Sequence, residues 1–189
     1  MGKLVLVEHL TLDGVMQGPA APDEDTRGGF VRGGWGVAGN DEVMGSVLGK
    51  GLGRHGAMLF GRWTYEQFFG FWPHQTDNPY TDALNRARKY VVSRTRRELT
   101  WENSVLVPDV GDVAKIKEGE DLTVLGSGEL AGELMRRGLV DEWLLMVHPL
   151  VLGTGRRLFD GVEVELRLVD SVVTTTGVVI ATYRGREEA

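Results

Sequence analysis

Along the first two thirds of the chain, dense apolar runs alternate with stretches in which apolar residues recur three and four positions apart. The first run, "KLVLVEH" (Lys3–His9), predicts a strand buried on both faces through Leu4–Val7. "AMLFGR" (Ala57–Arg62) predicts a second strand ending at a glycine, and "TYEQFFGFW" turns helical directly after it. "DNPYTDALNRAR" reads as a further helix with Pro79 near its start. "KYVVSRT" (Lys89–Thr95) and "SVLV" (Ser104–Val107) read as strands, and "DVGDVAKIKEG" as a helix. In "LTVLGSGELAGELMRRG" (Leu122–Gly138), Leu122, Val124 and Leu125 form a short strand. Leu130, Ala131, Leu134 and Met135 then fall at helical spacing. Glu129 and Glu133 lie towards the start of that helix, Arg136 and Arg137 at its end, and Gly138 closes it.

Two stretches break the alternation. Leu10–Asn40 is a long Gly- and Pro-rich segment, and loops of that length inside a compact domain are usually lids or binding loops. Phe30 and Trp35 within it give it something to bury. A helix follows it, with Val43, Met44, Val47, Leu48 and Leu52 on one face. At the other end, "VDEWLLMVHPLVLG" reads as one long strand, and "VEVELRLVDSVVTTTGVVIATYRG" as an antiparallel pair turning near Thr175–Gly177. Strands alternating with helices, then strands alone, predict an α/β fold: a mainly parallel central sheet, flanked by helices, with an antiparallel C-terminal edge. At 189 residues a single domain spanning 1–189 is expected, with 10–40 as its lid.

Composition narrows the partners. The net charge of −6 and the lack of any Lys/Arg block argue against nucleic acid. There is no cysteine, so thiolate chemistry and cysteine metal sites are excluded. The run in "MGKLVLVEHL" is short and broken by Glu8, and no stretch approaches a membrane span, so a cytoplasmic protein with no membrane partner is expected. His9, His55, His74 and His148 share no metal-ligand spacing, and no metal is expected.

Ligands of open α/β sheets bind beyond the carboxyl ends of the strands. Three such ends offer glycine, hydroxyl or guanidinium groups: Gly61-Arg62-Trp63-Thr64-Tyr65, Ser93-Arg94-Thr95 and Gly126-Ser127-Gly128. Singly, each reads as a turn with a solvated charge. On one sheet edge they would make a dinucleotide site. The third is not the dinucleotide fingerprint, because it runs Gly126-x-Gly128-x-x-x-Gly132 and the acidic residue expected at the end of the next strand is missing.

"GRWTYEQF", "KYVVSRT", "VLGSGELAGELMRRGLVDEW" and "HPLVLGTGRRLF", with the opening "TLDGVMQGP" and "GGFVRGGW", resemble the motifs of the dihydrofolate-reductase-like superfamily. The closer likeness is to the branch containing the reductase domain of bifunctional riboflavin-biosynthesis enzymes, and it covers nearly the whole chain. The resemblance implies that Gly61, Arg62 and Thr64 bind the phosphates of NADPH and that Ser93 and Arg94 meet its 2′-phosphate. Gly126, Ser127 and Gly128, with the backbone around Glu129 and Leu130, would take the pyrophosphate. A carboxylate at the start of the first helix would serve the reacting end; Asp41 is preferred over Glu42, though either also reads as a helix cap. Asp13 and Gly14 would lie near the substrate and nicotinamide, or simply form an Asp-Gly turn. Trp35, Tyr65 and Phe68 are candidate aromatic walls, or core. The expected function is NADPH-dependent hydride transfer to a small, heterocyclic C=N or C=O substrate. The alternative is a nucleotide-binding or sensory protein without turnover. Family members are commonly homodimers, and "WLLMVHPLVL" offers either a contact surface or core.

Overall fold

The computed structural model describes residues 2–52, 56–76 and 78–186. Eight strands form one sheet: β1 (Leu4–Thr11), β2 (Ala57–Gly61), β3 (Lys89–Val92), β4 (Ser104–Val107), β5 (Leu122–Leu125), β6 (Glu142–His148), β7 (Leu166–Val173) and β8 (Val179–Gly185). Their order is β4-β3-β2-β5-β1-β6-β8-β7. The pairings from β4 across to β6 are all parallel, whereas β8 runs antiparallel to both β6 and β7. The direction follows the connections. Long segments, most with helices, join β1 to β6, whereas a tight turn at Gly177 (φ 84°) joins β7 to β8.

Helices α1 (Glu42–Leu52), α2 (Arg62–Phe71) and α3 (Pro79–Arg86) cover one face of the sheet. There Val5, Val7 and Met146 pack on Met44, and Met58 and Phe60 pack with Tyr65 and Leu84. Helices α4 (Asp112–Gly119) and α5 (Gly128–Arg136) cover the other, where Leu4, Leu6 and Leu59 meet Val113, Leu130, Ala131 and Leu134. The strands from β1 to β5 therefore need apolar residues at successive positions rather than at alternate ones, which is the pattern they show.

The expected length of β6 is corrected. The strand stops at His148, not at Gly153, because Pro149 has no N–H to continue the ladder. Leu150 instead receives the Leu12 N–H, and the chain turns back across the first loop, where Arg156 accepts from Met16 N–H. Of the two readings of "WLLMVHPLVL", core describes Trp143–His148, whereas Pro149 and Val151 are exposed. β6 is hydrogen-bonded by β1 on one edge and β8 on the other, and Trp143, Leu145 and Met146 are buried. The third strand is likewise shorter than read, ending at Val92 where Ser93 begins a turn.

Candidate active site

The carboxyl ends of the parallel strands open onto a cleft of about 1610 Å³. It runs from the strand ends onto the sheet face under α1, where Val5, Val7, Met44 and Leu144 form an apolar wall. Two helices begin at its rim. α2 starts after Gly61 and α5 after Ser127, and neither start has a side-chain cap, so the N–H groups of both first turns remain for an anion. The two starts touch, since Gly61 N–H donates to Ser127 Oγ at 2.9 Å. Gly126 (φ 65°) and Ser127 (φ 71°, ψ 54°) are both left-handed, which turns β5 sharply into the helix. The Met16 side chain packs directly against Gly128, so a side chain there would have to displace it.

All ten residues expected to hold the cofactor line this cleft: Gly61, Arg62, Thr64, Ser93, Arg94, Gly126, Ser127, Gly128, Glu129 and Leu130. Ser93 Oγ accepts from the N–H groups of Thr95 (3.3 Å) and Arg96 (3.0 Å), and this turn leaves Arg94 exposed at the rim. A second hollow of about 450 Å³ shares Arg62 and Thr95 with the cleft and adds Arg96 and Arg97, cations that the reading of the sequence passed over.

The segment between β1 and α1 is folded against the site by polar contacts. Gln17, 3% exposed, donates through Nε2 to the carbonyls of Asp25 (3.1 Å) and Arg27 (2.9 Å) and accepts from Arg156 N–H (3.0 Å). Its own carbonyl accepts from the Trp35 indole N–H at 2.8 Å. Above the start of α5, Arg156 bridges Asp25 (3.2 Å) and Glu129 (2.9 Å), and Arg27 pairs with Asp25 and lies 4.6 Å over the Trp63 ring. Gln17 and Arg27 carried no motif, so only the fold identifies them.

At the other end, the expected residues part company. Asp41 lines the cleft, but its carboxylate is occupied: Met44 N–H donates to it at 2.8 Å, Thr175 N–H at 2.7 Å and Thr175 Oγ at 2.8 Å. The Met44 N–H and then Thr175 hold its pKa below the usual carboxylate range, so Asp41 is an ionised cap of α1 with no proton to give at neutral pH. Asp13 is a tie as well. The Thr11 hydroxyl (2.6 Å) and the N–H groups of Gly153 (2.8 Å) and Leu152 (3.2 Å) bind its carboxylate and hold its pKa far down. Asp13 and Gly14 form the turn over which residues 150–157 fold, outside the cleft lining. Trp35 packs edge-on against His148. Tyr65 is fully buried, its hydroxyl accepting from Trp101 N–H at 2.9 Å. Among the three aromatic candidates, only Phe68 faces the cleft.

Two further groups lie at this end. Glu8 lines the cleft yet is 3% exposed, its Oε1 has no partner among the described residues, and burial, then Glu24, raises its pKa well above the usual value. His9 and His148 share a hydrogen bond, Nδ1 to Nε2, of 2.9 Å. Burial, then the neighbouring His148, brings the His9 pKa down to about 4.

This sheet order, with its antiparallel edge and its cleft at the strand ends, is a dihydrofolate-reductase-like fold. The model for the RibD C-terminal domain matches residues 3–180, and the chain belongs to that family. It is 31% identical over 137 residues to the uncharacterized protein YyaP of Bacillus subtilis, covering 67% of this chain and 72% of that one. Among solved structures it is similar to a putative riboflavin biosynthesis protein from Shewanella sp. PV-4 (TM-score 0.68, 18% identity, 98% and 99% of the two chains). It is also similar to dihydrofolate reductase from Enterococcus faecalis complexed with NADP(H) (TM-score 0.62, 15% identity, 98% of each chain). No helix among the described residues is long and apolar enough to cross a membrane.

Proposed function

We propose that the protein is an NADPH-dependent reductase of a small heterocyclic C=N or C=O compound. The observation that carries the reading is the pair of uncapped helix starts, joined by the Gly61–Ser127 hydrogen bond, at the rim of a cleft whose far wall is apolar. The donor set fits the cofactor. Backbone N–H groups at Arg62–Thr64 and Gly128–Leu130 suit a pyrophosphate. Arg62 and Arg94 suit the 2′-phosphate, with Ser93 fixing the turn between them. When bound, the cofactor supplies the hydride. The chain's own residues bind and orient: the α1 wall offers a planar substrate an apolar seat, and the strapped 10–40 segment limits water at the reacting end.

Titration with NADPH and NADH, followed by protein fluorescence, tests the reading. Each charge-assisted phosphate contact contributes roughly 1.5–3 kcal/mol. Arg62→Ala together with Arg94→Ala is therefore expected to weaken NADPH by on the order of 100-fold or more while barely changing NADH. Wild-type protein that binds neither nucleotide would remove the reductase reading. The occupied state of Asp41 keeps a second reading in play, a nucleotide-binding protein without turnover. It predicts tight NADPH binding with no loss of NADPH absorbance against any carbonyl or imine substrate.

A further inference from the structure

Glu8 stands where a dinucleotide held by the phosphate loop would continue. β1 is the neighbour of β5, Val7 pairs with Leu125, and Gly126 N–H donates to the Val7 carbonyl at 3.3 Å, so Glu8 is level with the first glycine of that loop. It shares a strand face with Leu4, Leu6 and Leu10, the face that α5 covers and against which Met16 packs. The apolar α1 wall, built on Val5 and Val7, lies on the opposite face. A group reaching Glu8 therefore comes from the cofactor side of the cleft. The side chain is 97% removed from solvent by its 3% exposure, lines the cleft, and keeps an unpartnered Oε1 among the described residues. Buried polar atoms of folded proteins are nearly always paired, so the orphan marks a place for a partner.

We propose that the Glu8 carboxyl is the hydrogen-bonding partner of the cofactor's nicotinamide carboxamide, an assignment that rests on the reductase reading above. A carboxylic acid offers one O–H donor and one carbonyl acceptor; a primary carboxamide offers N–H and carbonyl in the complementary order, so the pair closes two hydrogen bonds at once. The surroundings keep the acid form. Burial, and Glu24 of the lid, disfavour the carboxylate. The lid cations Arg27 and Arg156 are taken by Asp25 and by Glu129 at the α5 start, and His9 pairs with His148. Glu8 is thus a positioning residue, fixing the ring through its carboxamide.

The test compares NADPH with 2′-phospho-ADP-ribose, which keeps the phosphates and lacks the nicotinamide, on wild type, Glu8→Leu and Glu8→Gln. Glu8→Leu is expected to weaken NADPH about tenfold or more and to leave 2′-phospho-ADP-ribose unchanged. Wild-type affinity for NADPH, taken relative to 2′-phospho-ADP-ribose, should fall as the pH is raised and the acid ionises. Glu8→Gln, whose amide keeps one donor and one acceptor without titrating, should hold its affinity flat over the same rise. Equal loss of both ligands in Glu8→Leu, or no loss of either, overturns the assignment. Should Glu8→Leu not fold, the Glu8→Gln profile decides, and a profile identical to wild type overturns it. Binding of neither probe by the wild type would instead sink the reductase reading, and this assignment with it.

Discussion

His9 and His148 show how a single buried pair couples the site to pH. Their 2.9 Å bond needs one ring as donor and one as acceptor, so it is intact when both are neutral. With the folded pKa of His9 near 4, the unfolded chain takes up a proton below its ordinary value of 6.5 and the folded chain does not. Stability from this group is therefore full above about pH 6.5 and is lost as the pH falls towards 4, by about 2 kcal/mol at about pH 5. Glu8 has the opposite sign, since the folded state holds a proton that the unfolded chain releases, and its contribution grows as the pH falls. Urea midpoints of wild type and His9→Gln at about pH 7 and about pH 5 separate the two. The variant should lack most of the His9 loss, and an equal drop in both proteins would exclude the pair as its source. At this scale, legibility depended on whether a residue's role is local. Arg62, Arg94 and Ser127 announce themselves as strand-end residues, whereas Glu8 in the sequence merely interrupts an apolar run. Asp41 reads both as a cap and as a catalyst until Thr175, 134 positions away, is found on its second oxygen.

Among the elements, the lid is the one whose structure outran its pattern. Its contacts are carbonyls, indole and amide groups spread over 140 positions, which no periodicity announces. Gln17 holds it, with three side-chain hydrogen bonds to Asp25, Arg27 and Arg156. Gln17→Leu keeps the volume and leaves two carbonyls and an N–H unpaired, a loss of about 1–3 kcal/mol per buried group that does not find water. The expected outcome is local: faster hydrogen exchange across residues 18–36 and weaker NADPH binding, with amides of β1, β2 and β5 unchanged. Uniformly faster exchange over the whole sheet would instead make Gln17 a determinant of global stability. After β6 the reverse holds: an apolar run with strand pattern leaves the sheet. Leu150 and Leu152 fold back over the Asp13 turn through backbone hydrogen bonds, and Pro149 is the sign that the ladder ends. The parallel strands and α5 were legible because each carries its own dense run and its own stop signal.

For the molecule as a whole, the sheet is covered unevenly. α4 and α5 shield one face from β4 to β6, but on that same face the β7–β8 hairpin shows Val173 (63% exposed) and Val179 (39%), which the register pairs, and, further along opposite Tyr183, Leu168 (55%). Apolar side chains clustered on an edge hairpin are uncommon in a monomer and suit a self-complementary contact. β7 itself carries a bulge between Leu168 and Asp170, which twists its open edge and disfavours simple strand addition. Homodimerisation, expected from the family resemblance, is therefore proposed through this face of the hairpin rather than through β6. Light scattering on the purified protein should give twice the chain mass, and Leu168→Lys with Val173→Lys should give the monomer, because paired copies would bring four lysines together at one patch. The cleft opens on the other face and at the strand ends, so the variant should still bind NADPH. The same hairpin holds Asp41 through Thr175, and a dimer built on it would stiffen the α1 end of the cleft. Faster hydrogen exchange at the start of α1 in the monomeric variant would report that coupling. A wild type that is already monomeric would overturn the dimer, and an unchanged dimer in the variant would overturn the choice of surface.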